Sequence, residues 1–178
     1  MNKAVFLDRD GVINKPIIKN GKGYAPRLLK DFKIFPNVKN DVIKLKKKGF
    51  KIFVITNQPD IANKLIKKKT LNKMHNILKK KIPVDKIFYC PHKNSDKCKC
   101  RKPKIGMIKK AAKFSKIYLK KCYMIGDRSK DIEAGFRAGC QTIFINNNYL
   151  ETKPRIQDKT VKSLHAAVKY ILRKEKSE

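Results

Sequence analysis

Short apolar runs at residues 4–7, 50–55, 86–89, 122–125 and 141–145 alternate with stretches of helical periodicity, and this alternation constrains the fold more than any other feature of the chain. Runs this short, rich in β-branched and aromatic residues and bounded by turn residues, read as buried strands. Between them, Val38, Val42, Ile43 and Leu45 fall at helical spacing ahead of Gly49. Leu71, Met74, Ile77 and Leu78 do the same behind Thr70, the predicted N-cap of a helix running to Lys81. Further helices are predicted over 105–114, from the turn at 126–131 through Ala138, and over 163–173. Strand–helix alternation predicts a mostly parallel sheet with helices on both faces, whose ligands bind beyond the carboxyl ends of the strands. Residues 15–35 carry Pro16, Gly21, Gly23 and Pro26 and read as an irregular loop. A loop that long is predicted to fold over a site at the end of the first strand. The 178 residues suffice for one domain with a real core, and 1–178 is read as a single unit.

The polar clusters stand where that rule wants them. Asp8 and Asp10 follow the first run, Thr56 and Asn57 the second, a Cys/His loop with Lys102 the third, and Asp127 and Asp131 the fourth. Residues two apart in a strand share a face, so Asp8 and Asp10 leave it together, and their repulsion calls for a cation or a proton. Asp8, Asp10 and Asp127 together make an oxygen-only site suited to Mg²⁺. Thr56 and Asn57 add donors and Lys102 a fixed positive charge, the set needed to neutralise a transferring phosphoryl group. One aspartate can then attack phosphorus while its neighbour moves the proton. Asp131 has two readings, a metal ligand or a helix N-terminal charge favoured by the dipole. Cys90, His92, Cys98 and Cys100 supply the closed tetrahedral donor set of a structural Zn²⁺ site, which would aim the adjacent Arg101 and Lys102. Cys122 and Cys140 flank apolar runs and read as packed thiols.

The formal net charge of +32 invites a nucleic-acid reading, but lysines spread along the whole length do not make one basic face with aromatic platforms. A basic, zinc-stapled nucleic-acid-binding protein is therefore the distant alternative, and no dedicated nucleic-acid partner is expected. No apolar run approaches the length of a membrane span, no signal-peptide pattern opens the chain, and the odd number of cysteines does not suggest a disulfide framework, so a cytoplasmic protein is expected.

Asp8-Arg-Asp-Gly-Val-Ile-Asn14, Thr56-Asn-Gln58, Lys102 and Gly126-Asp-Arg-Ser-Lys-Asp131 resemble, in order, the four motifs of the haloacid dehalogenase superfamily of phosphatases. The resemblance implies a Rossmann-like α/β fold with Asp8 as nucleophile and Asp10 as general acid/base. It implies Thr56 and Lys102 on the phosphoryl group, and Mg²⁺ held by Asp8, the Asp10 carbonyl and Asp127, with Asp131 as ligand or support. The Cys/His loop followed by Arg101-Lys102-Pro103 resembles the capless branch of heptose bisphosphate and histidinol-phosphate phosphatases, so no separate cap domain is expected. Gly-Val-Ile-Asn14, Gly23-Tyr24 and Lys104-Ile-Gly-Met107 favour the heptose side. By the same resemblance Gly23, Tyr24, Asn57, Gln58, Arg101 and Arg128 are expected at the substrate, a small phosphorylated metabolite such as a sugar bisphosphate, and the chain is expected to act as a monomer. Pro59-Asp-Ile-Ala-Asn-Lys64 departs from the heptose pattern, and the short zinc loop is shared with the histidinol-phosphate side.

Overall fold

A computed structural model describes residues 2–176. Six strands form one parallel sheet: β1 (Lys3–Leu7), β4 (Phe50–Asn57), β5 (Lys86–Cys90), β6 (Tyr123–Gly126), β7 (Gln141–Ile145) and β8 (Lys159–Val161). Their spatial order is β5-β4-β1-β6-β7-β8. The chain builds outward from β1 in one direction, returns, and builds outward in the other, so the order reverses between β1 and β6. A crevice opens at such a point, because successive crossover connections leave toward opposite sides.

Five helices cover the sheet: α1 (Val38–Lys47), α2 (Lys68–Lys81), α3 (Gly106–Ser115), α4 (Ser129–Arg137) and α5 (Leu164–Lys174). Alternation along β1 assigns each face its helices. Val5 and Leu7 join Val42 of α1, Met74 of α2 and Val168 of α5 in one core. Ala4 and Phe6 join Ile108 of α3 and Ala134 of α4 in the other. Burial on both faces makes β1 and β4 almost uniformly apolar, where a half-exposed strand would alternate.

The structure departs from the sequence expectations in four places. The stretch expected to be irregular holds a hairpin, β2 (Ile17–Lys19) and β3 (Lys22–Tyr24), turned by Asn20 and Gly21, both at positive φ. That Asn-Gly pair is the preferred chemistry of a two-residue hairpin turn. Strand β8 completes the sheet beyond β7, in a stretch for which the sequence predicts no strand. Thr70 is not the N-cap of α2, which starts at Lys68 behind Lys67. Ile66, just ahead of the helix, is buried, and Thr70 sits inside the first turn. Ser163, predicted as the first residue of the last helix, is instead the N-cap of α5, its hydroxyl accepting from Ala166 N at 3.2 Å. Among the described residues no helix is long and apolar enough to cross a membrane.

Candidate active site

The carboxyl ends of β1 and β6 bring the first carboxylates together. Asp8 continues the pairing of β1, its N–H donating to Ile125 O at 2.9 Å, and Asp127 follows Gly126 at the end of β6. Asp131 enters from the first turn of α4, where its Oδ2 accepts from Arg128 N at 3.1 Å. Carboxylate oxygens of Asp8, Asp127 and Asp131 all lie within 4.8 Å of one another, and all three residues are buried.

Lys102 is the cation set against them. Its side chain is 2 % exposed, and Nζ lies 2.7 Å from Asp8 Oδ1 and 2.6 Å from Asp131 Oδ1. Its third donation goes to Ile55 O at 2.6 Å. Asn57 clamps the Lys102 backbone from both sides, accepting from N at 3.0 Å and donating to O at 3.2 Å. Burial opposes the charge on Lys102, but Asp131 and Asp8 outweigh it and hold the ammonium firmly protonated. Burial pushes Asp8 up to about 6; Lys102 offsets part of this, while Asp131 and Asp10 add to it. Asp127 stands well above the ordinary carboxylate range through burial and the charges of Asp8 and Asp131.

Three carboxyl groups thus face one buried ammonium, so full ionisation would leave an excess of two negative charges that the partly exposed Arg128 only moderates. Asp127 carries a second sign of incompleteness. Its Oδ2 accepts from Tyr149 OH at 2.8 Å and Asn147 Nδ2 at 3.2 Å, while its buried Oδ1 has no partner. An unpaired buried carboxylate oxygen is costly, and a hard divalent cation such as Mg²⁺ meets both the charge excess and the bare oxygen. The donor set fits the ion. Both oxygens of Asp131 already serve Lys102 and the start of α4, so within this cluster it holds the lysine as well as standing near the cation site.

Asp10 belongs to a different network, which the sequence reading missed. Gly11 turns the chain at φ +88, and Asp10 accepts from Arg9 Nη2 at 2.8 and 2.9 Å, Asn14 Nδ2 at 3.0 Å and Gln58 Nε2 at 2.8 Å. Burial alone would raise its pKa, but the Arg9 charge and these bonds outweigh burial and hold Asp10 below the usual range. Arg9 is fully buried over the Phe32 ring and donates from Nη1 to His75 Nε2 at 3.2 Å. Burial and the Arg9 charge push His75 down to about 3, so the ring is neutral and can accept. Arg9, Asn14 and His75 sit on polar positions that burial alone marks out.

Cys90 ends β5 and, with His92, Cys98 and Cys100, forms a compact four-donor cluster. The three Sγ···Sγ distances are 3.1, 3.6 and 3.6 Å, and His92 Nδ1 lies 3.5 and 3.3 Å from Cys90 and Cys100 Sγ. Tetrahedral Zn²⁺–thiolate geometry implies S···S separations of about 3.8 Å, so the residues fit zinc with little movement. Burial works against the Cys98 thiolate, but backbone N–H groups of Arg101 and Cys100 outweigh it and bring Cys98 down to about 6. Cys122 and Cys140 are buried free thiols, as expected.

A cleft of about 380 Å³ opens over these groups. Asp8, Asp10, Thr56, Asn57, Lys102, Asp127 and Asp131 line it, with Gly23 and Tyr24 from the hairpin and Arg101 and Arg128 at its sides. The long segment after β1 thus folds over the site, as expected. Gln58 is placed differently. It is buried behind the cleft, where its amide serves Asp10 and Thr56 Oγ1 at 2.9 Å, so its direct contacts are with those side chains. Arg101 lines the cleft while fastened to the Cys/His loop through Asn94 Oδ1 at 2.6 Å and His92 O at 3.2 Å. Tyr149, from the segment after β7 and absent from the predicted site, also lines the cleft.

Known proteins resemble this chain in sequence and fold. The family model described as polynucleotide kinase 3 phosphatase matches residues 4–138. A D-glycero-alpha-D-manno-heptose-1,7-bisphosphate 7-phosphatase of Photorhabdus laumondii is 36% identical over 155 residues, covering 80% of this chain and 81% of the relative. The histidine biosynthesis bifunctional protein HisB of Blochmanniella floridana is 34% identical over 148 residues, 80% of this chain but 40% of that longer protein. Among solved structures, a D,D-heptose 1,7-bisphosphate phosphatase from B. bronchiseptica, complexed with magnesium and phosphate, superimposes with a TM-score of 0.82 at 26% identity, covering 98% of this chain and 99% of that one. The chain belongs to the polynucleotide kinase 3 phosphatase family within the haloacid dehalogenase superfamily of phosphatases, in the branch of the heptose bisphosphate and histidinol-phosphate phosphatases.

Proposed function

We propose that this chain is a Mg²⁺-dependent phosphomonoesterase that works through an aspartyl phosphate on Asp8 and removes the 7-phosphate of D-glycero-D-manno-heptose 1,7-bisphosphate. The observation that carries the reaction is the Asp8–Lys102–Asp131 arrangement beside the unpartnered Asp127 oxygen, at the floor of an open cleft. The heptose substrate is supported by relatives of that name that match this chain along most of their own length. We read residues 1–178 as one phosphatase domain, a monomer, working in the cytoplasm, where free thiols persist.

When bound by Asp8, the Asp10 carbonyl and Asp127, with Asp131 adjacent, Mg²⁺ supplies positive charge to the transferring phosphoryl oxygens and lets two anions approach each other. An Asp8 carboxylate oxygen attacks phosphorus, and the bond from phosphorus to the sugar oxygen breaks. Lys102 holds positive charge against Asp8 and the developing phosphoryl oxygens without moving, because Asp131 and Ile55 O anchor it. Thr56 offers its hydroxyl to the same group. Asp10 gives its proton to the departing sugar oxygen, then takes one from the water that attacks the Asp8 phosphate, releasing inorganic phosphate and restoring the carboxylate. Arg9 favours the ionised, base form of Asp10, while the negative charge of an incoming phosphate favours the protonated one, so loading the cleft shifts Asp10 toward its acid role. Gly23, Tyr24, Asn57, Arg101 and Arg128 shape the sugar side, and Gln58 keeps Asp10 and Thr56 in place. Zn²⁺ at Cys90, His92, Cys98 and Cys100 pins the loop that carries Arg101 and Lys102.

Phosphate release from heptose 1,7-bisphosphate, histidinol phosphate and simple monoesters, with Mg²⁺ present, tests the assignment. One phosphate per heptose bisphosphate, at a kcat/KM well above the others, is expected. Preference for histidinol phosphate would move the substrate to that alternative, which the HisB match and the short zinc loop favour. Equal, feeble rates on all of them would overturn the heptose assignment.

A further inference from the structure

Asp127 has one oxygen fixed and one bare, and the fixing is done by the segment between β7 and β8. Asn147 Nδ2 lies 3.0 Å from Gly11 O, 3.0 Å from the Tyr149 hydroxyl oxygen and 3.2 Å from Asp127 Oδ2, three acceptors for its two protons. The tyrosine hydroxyl can only accept from the amide, which leaves its single proton for Asp127 Oδ2, at 2.8 Å. These contacts fix Oδ2, while the buried Oδ1 has no partner. One carboxylate oxygen of Asp127 lies within 4.8 Å of those of Asp8 and Asp131.

The same side chain closes the other wall of the cleft. A Cβ on Gly23 would lie 2.8 Å from the Tyr149 ring, and a Cβ on Gly11 would lie 2.8 Å from the Tyr149 hydroxyl and 1.9 Å from Asp127 Oδ2. Both backbones approach a side chain that leaves no room for a larger residue. The neighbours of Tyr149 are stitched to the hairpin as well. Leu150 N donates to Gly21 O at 2.8 Å, and Arg128, stacked 5.9 Å over the Tyr149 ring, donates to the Gly23 carbonyl.

We propose that Tyr149 is a positioning residue joining the two halves of the site: its hydroxyl aims Asp127 Oδ1 at the cation, and its ring sets where the hairpin presents Gly23 and Tyr24 to the substrate. The inference rests on the cation site described under Proposed function. Its two parts separate by substitution. Y149F removes the hydroxyl and keeps the ring; Y149A removes both.

The test is Mg²⁺ binding to the zinc-loaded protein, read by calorimetry and by the Mg²⁺-dependent rise in melting temperature, for wild type, Y149F, Y149A and D127N. Partners of ligating carboxylates alter metal affinity by roughly 10-fold to 100-fold. Y149F is expected to weaken Mg²⁺ binding by about that factor, with zinc content unchanged, and to recover turnover at saturating Mg²⁺ with KM little changed. Y149A is expected to raise KM in addition. Wild-type Mg²⁺ affinity in Y149F, with binding lost in D127N, overturns the proposal and leaves the cation site standing. A wild-type protein that binds no Mg²⁺, like D127N, overturns the cation site and the proposal together. If Y149F folds poorly, N147A, which removes the other donor and keeps the ring, carries the test on the same criteria.

Discussion

Replacing Lys102 by methionine keeps the length of the side chain and removes the one ammonium on which the carboxylate cluster closes. Nζ makes three short contacts, 2.7 Å to Asp8 Oδ1, 2.6 Å to Asp131 Oδ1 and 2.6 Å to Ile55 O, and methionine can replace none of them. With Mg²⁺ withheld, the buried carboxylates relieve their repulsion by taking up a proton. Breaking a buried ion pair by removing one partner costs about 3–5 kcal/mol. K102M is therefore expected to lose about 4 kcal/mol of stability in denaturant unfolding at pH 7 without Mg²⁺. The loss should be smaller with Mg²⁺, which supplies charge to the same carboxylates, and smaller at low pH, where the proton is free to bind. In catalysis, removing one preorganised group that faces developing charge costs about 10²–10³ in rate. Phosphate release at saturating Mg²⁺ reads that term. Turnover within tenfold of wild type, or unchanged Mg²⁺-free stability, would refute the reasoning.

Three further outcomes follow from other parts of the structure. His75 is held neutral, pushed down to about 3 from an ordinary 6.5 by burial and Arg9. Between those values the unfolded chain binds more protons than the folded one, so this contribution is present above pH 6.5 and is lost as pH falls toward 3. H75F should flatten that acid loss in urea unfolding followed from pH 7 to pH 4, and an unchanged profile would contradict the buried neutral ring. Removing zinc should loosen the Cys90–Cys100 loop and lower turnover through Arg101 and Lys102 while Asp8 stays in place; hydrogen exchange and phosphate release should both change, and no change in either would count against the structural role. Arg9→Met leaves Asp10 with its Asn14 and Gln58 donors but without the charge that favours its ionised form. Turnover should fall while Mg²⁺ affinity at Asp127 is retained, and an equal loss of both would point to a general collapse.

Much of this was legible in the sequence, for identifiable reasons. Strands buried on both faces, such as Phe50–Asn57, announce themselves as continuous apolar runs, and each site carboxylate follows such a run. The Cys/His cluster was readable because four candidate donors crowd into a short loop. What escaped falls into two kinds. The hairpin at Ile17–Tyr24 was signalled by Asn20-Gly21, but the surrounding prolines and glycines masked it. Strand β8 has three residues and no apolar core of its own, so only its pairing with β7 reveals it. Arg9, His75 and Tyr149 are the second kind. An arginine between two aspartates, a histidine on a lysine-rich helix and a tyrosine after an asparagine run look solvated in one dimension. Their burial and their contacts with Asp10 and Asp127 come from segments distant in sequence.

The central claim is that Asp8 carries the phosphoryl group during turnover. Rapid acid quench of the enzyme mixed with substrate labelled in the transferable phosphate, followed by peptide mapping, tests it most directly. The account predicts transient label on the peptide containing Asp8, and neither label nor turnover in a folded D8N variant. Label on another residue, or D8N turnover near the wild-type rate, would contradict it.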